Sequence, residues 1–206
     1  MKNIDNSEEK LVLYCDDRNT ASPEELAKYP WTEEDEQKLS KLIENVFKKF
    51  GLTDEPMSEK PTAACNIAKY ILQKQGDMST WKLQKLCYYA QAWHYTWTEK
   101  RLIAEDFQAW CNGPVCPELY NLHKGKYFAK VSDFAFADID QLSNDAKDSI
   151  DVMLEHYGSF DPDKLVKLTH SEDPWRKARG NLPEDAKSNK VITLESMGEY
   201  YRKHLI

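Results

Sequence analysis

Five Cys and five His are the side chains in this 206-residue sequence best suited to metal binding or nucleophilic chemistry, so their spacing is the first test of function. Cys111, Cys116 and His123 follow a C-x4-C-x6-H spacing, with Cys87 and His94 two helical turns apart just upstream. Structural zinc sites bring Cys in pairs two to four residues apart, with a second pair at matching spacing. Neither pair is present, and the residues predict no metal. A Cys–His nucleophile needs a partly exposed, electropositive thiol. Cys65, Cys87 and Cys111 instead sit in apolar patterns. There is no G-x-S-x-G, no P-loop, no G-x-G-x-x-G and no H-E-x-x-H, and the seven Gly are too scattered to cradle a phosphate. The expectation is a non-enzymatic protein without cofactors; an enzyme using Cys or His from distant positions is the remote alternative.

Basic residues near aromatics could serve nucleic acid. Lys82 and Lys85 fall on one predicted helix, and Arg176, Lys177 and Arg179 follow Trp175. Against this, the chain carries 28 Lys+Arg and 35 Asp+Glu, and residues 1–60 alone hold 9 against 15. Phosphate backbones are bound through Lys and Arg, so that acidic segment argues against a polyanion. It suits a basic protein partner better, with salt-sensitive association.

The elements that must position these residues are mostly helical. Thr32 precedes a run of acids, and Leu39, Leu42, Ile43, Val46, Phe47 and Phe50 form one apolar stripe ended by Gly51, which predicts a helix over about 33–50. Leu11 to Cys15 reads as a short strand, and Ser22-Pro23-Glu24-Glu25 as a helix start. Pro56 and Pro61 in a polar stretch mark a boundary near residue 60. Beyond it, Thr62 is the predicted cap of a helix to Gln75, and Ser79 of another to about Trp97. The latter is apolar almost all round, as a central buried helix must be. Asn112-Gly113-Pro114 reads as a turn, Pro117 to His123 as a short helix, and Val131, Phe134 and Phe136 as a short strand. Further helices are expected from Leu142 to Tyr157, after Asp161-Pro162, as a single turn at Asp173-Pro174, and at the C-terminus after Thr193. The fold class expected is mainly α: a compact helical bundle with a buried central helix and little strand, plus a small N-terminal accessory region. No apolar run reaches the roughly 20 residues of a membrane span, and MKNIDNSEEK lacks a signal-peptide core, which points to the cytoplasm.

Residues 79–120 carry a recognisable pattern. STWKLQKLCYYAQAWHYTW followed by LIAEDFQAWCNGPVCPELY, with LTHSEDPWRKAR further on, resembles the Panacea antitoxin domain of GepA-like phage-associated proteins and SocA-like antitoxins. The matching pieces are K-L-Q-K-L-x-Y-Y-A-Q-x-W, F-x-A-W, G-P-V-x-P-x-L-Y and H-S-E-x-P-W, in order over about residues 62–206. Asn112 and Cys116 depart from the family's usual residues. The resemblance implies a helical cytoplasmic antitoxin that binds and silences a toxin encoded beside it. It leaves the toxin open, with enzymes like small alarmone synthetases that modify tRNA among the known partners. A variant role is an adaptor that delivers the toxin to an ATP-dependent protease. The candidate partner contacts are Lys82, Gln84, Lys85, His94, Asn112, Glu118 and Arg176, with Phe47 and Phe50 from the N-terminal stripe.

Overall fold

The computed structural model describes residues 61–204. The predicted strand at Leu11, the helix start at Ser22 and the 33–50 helix with Phe47 and Phe50 lie outside the described residues.

Helix α1 (Ala64–Gln75) begins at Ala63, which contributes no side-chain cap. Thr62, the expected cap, instead accepts a hydrogen bond from Asn66 Nδ2 (2.8 Å) and pairs with Ile103. The helix ends at Gly76, whose N–H donates to Leu72 O. A two-residue strand, β1 (Met78–Ser79), leads into helix α2 (Thr80–Thr98), where the Ser79 hydroxyl accepts from the Lys82 N–H as a local cap should. Fourteen of the nineteen residues of α2 are buried, so it is the central helix. Its ends differ from the expectation of a helix buried almost all round: Trp81 and Trp97 are 48% and 38% exposed.

The chain returns through β2 (Phe107–Trp110) and β3 (Gly113–Val115), an antiparallel hairpin with Trp110 opposite Gly113 and Gln108 opposite Val115. The tight turn is Cys111-Asn112, and Gly113 and Pro114 stand in the strand rather than forming the turn. A proline is tolerated there because β3 is the edge of its sheet and needs no N–H on its outer side. Helix α3 (Pro117–His123) follows with Pro117 at its start.

Where alternation suggested a strand through Val131, Phe134 and Phe136, the structure has β4 (Phe128–Ala129) paired with β1, then 3₁₀ turns at Val131–Phe134 and Ile139–Gln141. The spacing of Val131 and Phe134 fits the three-residue period of a 3₁₀ turn, which buries Phe134 and leaves Phe136 exposed. Lys69 and Asn66 of α1 bond the backbone of this coil at Ala137 and Asp138.

Helix α4 (Asn144–Tyr157) is capped by Ser143 and closed by Gly158, and α5 (Pro162–Ser171) is capped by Asp161. Helix α6 (Asp173–Arg179) makes two turns, longer than the single turn expected. Strand β5 (Val191–Ile192) adds to β2 to complete a three-stranded sheet of order β3-β2-β5, and α7 (Leu194–Tyr201) is capped by Thr193. Helices α1, α4, α5 and α7 and the β3 side of the sheet all pack on α2. The fold of this segment is mainly α, seven helices and a few short strands among the described residues. Leu83, Leu86, Tyr88, Tyr89 and Trp93 of α2 form the middle of one continuous core. Burying each such side chain contributes about 1.5–3 kcal/mol. No helix among the described residues is long and apolar enough to cross a membrane.

Candidate functional site

The polar residues of α2 point to every side of the helix, because positions 82–94 cover more than three turns. Between them they reach several segments of the chain, around Ile103, Pro114, Cys116, His123, Ser149, Tyr157 and Gly158. Gln84 is bonded twice to the backbone of one residue: its Oε1 accepts from Cys116 N–H (2.9 Å) and its Nε2 donates to Cys116 O (3.3 Å). The same amide lies 2.9 Å from His123 Nε2, which therefore acts as the acceptor. Burial keeps the His123 pKa below its ordinary value, as a neutral acceptor requires. Lys82 donates to Gly158 O (2.6 Å), Lys85 to Pro114 O (3.2 Å) and Trp93 Nε1 to the Tyr157 hydroxyl (3.1 Å). Gln91 Oε1 accepts from Ile103 N–H (2.7 Å). His94 Nδ1 is 3.0 Å from Ser149 Oγ, which itself donates to Asp145 O, so the imidazole is the donor.

Two further motif pieces close the network. Glu172, 3% exposed, accepts from the hydroxyls of Tyr89 (3.1 Å) and Tyr201 (2.6 Å), linking α2 to α7 through the α5–α6 junction. Burial raises its carboxyl to about 7 in spite of those two donors. Trp175 donates to Trp110 O (2.9 Å) and is stacked against His170, with the Arg179 guanidinium 4.9 Å from its ring centre. Arg179, considered above as part of a basic clamp, is buried. It donates to the carbonyls of Ala109, Pro183, Glu184 and Ala186.

Gly113 shows how tightly these pieces fit. Its φ of +97° favours glycine, and a Cβ there would come within 2.6 Å of the Lys85 Cε. Lys85 is 2% exposed, and burial lowers its pKa to about 7.

The expected contact residues therefore separate by position. Gln84, Lys85 and His94 are buried and bonded within the fold, and Lys82 is half-buried against Gly158. Asn112, Glu118 and Arg176 are exposed on three separate elements. The reading from spacing passed over Glu172, Tyr201 and Gln91 as the residues that tie these elements together; the motif strings contain the first and last, and nothing local distinguishes them.

Three of the thiols among the described residues are unsuited to attack. Burial raises the pKa of Cys65, of Cys87 strongly, and of Cys116 to about 12, away from the thiolate form. Among the described residues, no group of three or more His, Cys, Asp or Glu side chains stands close enough to hold a metal.

A second set of residues faces outward. Tyr127 and Phe128 are 74% and 55% exposed with their rings in contact at 5.0 Å. The β1–β4 pairing sets Phe128 opposite Ser79, and Tyr127 O accepts from Thr80 N–H, which brings them to the start of α2, where the next residue in sequence is the exposed Trp81. Exposed aromatics gathered at one end of a domain are a common mark of a protein-binding surface.

These features define a helical domain whose buried polar groups on α2 are spent on its own architecture, while Trp81, Tyr127 and Phe128 are exposed. Residues 83–176, from the first turn of α2 into α6, match the family model of the SocA-like antitoxin Panacea domain. The matched segment is shorter than the 62–206 span of the motif resemblance. It omits α1, β5 and α7, although Tyr201 of α7 bonds Glu172 within it. No curated protein and no solved structure matches the chain.

Proposed function

We propose that this protein is an antitoxin that neutralises a co-encoded protein toxin by binding it directly in the cytoplasm, without catalysis. The observation that carries this reading is the Panacea domain over residues 83–176. Two features support direct binding. The buried polar side chains of α2 already have partners inside the fold, which leaves recognition to the surface. Trp81, Tyr127 and Phe128 offer aromatic area of the kind that anchors protein interfaces, with Asn112, Glu118 and Arg176 as further accessible candidates. Lys85, Gln84 and His94 act by holding the domain in shape.

The test is co-expression with the neighbouring reading frame, starting with any that encodes an enzyme like the small alarmone synthetases. Growth is expected to be arrested by the neighbour alone, rescued by this protein, and accompanied by a complex that co-purifies. A harmless neighbour, or rescue without a complex, overturns the reading. If the toxin's half-life shortens in the presence of this protein, the role is delivery to a protease rather than occlusion.

A further inference from the structure

Among the described residues, three buried side-chain polar atoms have no hydrogen-bond partner: Gln91 Nε2, Arg101 Nε and His170 Nε2. The first two belong to residues that line one pocket, formed by α2, the segment leading into β2, β5 and the first turns of α7. Gln91 is 1% exposed, and its other amide atom is fixed by Ile103 N–H, so the NH2 group is held as a donor that the fold itself does not use. An unpaired buried donor is costly and is relieved by a ligand that brings an acceptor.

The pocket holds about 230 Å³, below the roughly 300–1,000 Å³ of small-molecule sites, which suits one residue better than a cofactor. Its charges select the residue. Among the described residues, Glu105, Asp106 and Glu195 line it against a single cation, Arg101. Arg101 is paired with Asp106, and Glu105 accepts from Ala64 N–H, so Glu195, exposed in the first turn of α7, is the carboxylate best placed to meet an incoming charge. A ligand must then carry both an acceptor and a positive group, as a lysine or arginine residue within a polypeptide does. The walls add an apolar floor from Phe107, Ile192 and Met197. Beside them, β5 is an edge strand that pairs only with β2 among the described residues, and an edge of that kind can take up an extended chain.

We propose that this pocket seats a lysine or arginine residue of an extended segment of a partner protein. The segment's main-chain carbonyl accepts from Gln91 Nε2 and Arg101 Nε, and its side-chain cation pairs with Glu195. The proposal rests on the reading of the domain as a binder of a protein partner, and it is tested without that partner.

The experiment is a titration of the ¹⁵N-labelled full chain with N-acetyl-argininamide, followed by amide NMR. Two controls each lack one feature: N-acetyl-leucinamide has no cation and ethylguanidinium has no carbonyl. The expected result is a saturable shift of the Gln91 side-chain amide and of the backbone from Ile192 to Met197, with weaker effects from either control. Glu195→Gln is expected to weaken the argininamide response about two- to fivefold while leaving the rest of the spectrum in place. The proposal is overturned if argininamide leaves the pocket resonances unmoved, if leucinamide moves them equally, or if Glu195→Gln changes nothing. Such a failure would leave the antitoxin reading standing, since co-expression decides that separately.

Discussion

Glu172 and Lys85 are buried ionisable side chains that both sit at about 7, one raised from 4.5 and the other lowered from 10.5. Between pH 4.5 and 7 the folded Glu172 holds a proton that the unfolded chain has released, so its contribution is full below 4.5 and is lost as pH rises through 7. Between pH 7 and 10.5 the unfolded chain binds a proton that the folded Lys85 does not, so its contribution grows as pH rises over that range. His123 and His170, lowered by burial, and the raised Cys87 and Tyr88 add slopes of their own. Differences between variants isolate the two groups. Glu172→Gln keeps an acceptor for both tyrosines, and its stability relative to the parent is expected to rise as pH is taken from 4.5 to 7. Lys85→Met is expected to lose ground relative to the parent from pH 7 to 9. Urea unfolding at pH 5, 7 and 9 measures both; differences that stay flat with pH would contradict the assignments.

At the scale of elements, the hairpin β2–β3 and the loop before β5 depend on single residues. Gly113→Ala forces a left-handed φ on alanine and drives its methyl into Lys85, so a loss of about 1–3 kcal/mol in urea unfolding is expected. Arg179 gathers four carbonyls, three of them from the loop between α6 and β5. Arg179→Met is expected to speed amide hydrogen exchange over residues 180–192 while α2 stays protected. Helix ends were legible in the sequence because Ser79, Asp161, Gly76 and Gly158 act on backbone groups within four residues. The short strands were not. Two or three residues show no period, and Gly113-Pro114 looks like a turn until the Cys111-Asn112 turn places it in β3. The polar network was less legible still: Glu172 meets Tyr89 and Tyr201 across 83 and 29 residues of chain, and no local pattern announces that meeting.

For the molecule as a whole, the inward residues hold the fold, and the binding role proposed for the outward ones can be tested apart from it. Tyr127→Asp and Phe128→Asp alter side chains that are mostly in solvent, so unfolding midpoints are expected to change little. If the aromatic end of the domain meets the toxin, the same substitutions abolish co-purification and growth rescue. Full rescue by the double variant would move the contact elsewhere, with Asn112, Glu118 and Arg176 the next to examine.

The arrangement around α2 has a bearing on how such a domain changes partners. Because Gln84, Lys85, Tyr89, Gln91 and Trp93 secure the stretches around Pro114, Cys116, Glu172, Ile103 and Tyr157 from within, the exterior can be rewritten without renegotiating the interior. A library randomised only at exposed positions would therefore consist largely of folded proteins, and new target preferences could be selected from it on an unchanged frame.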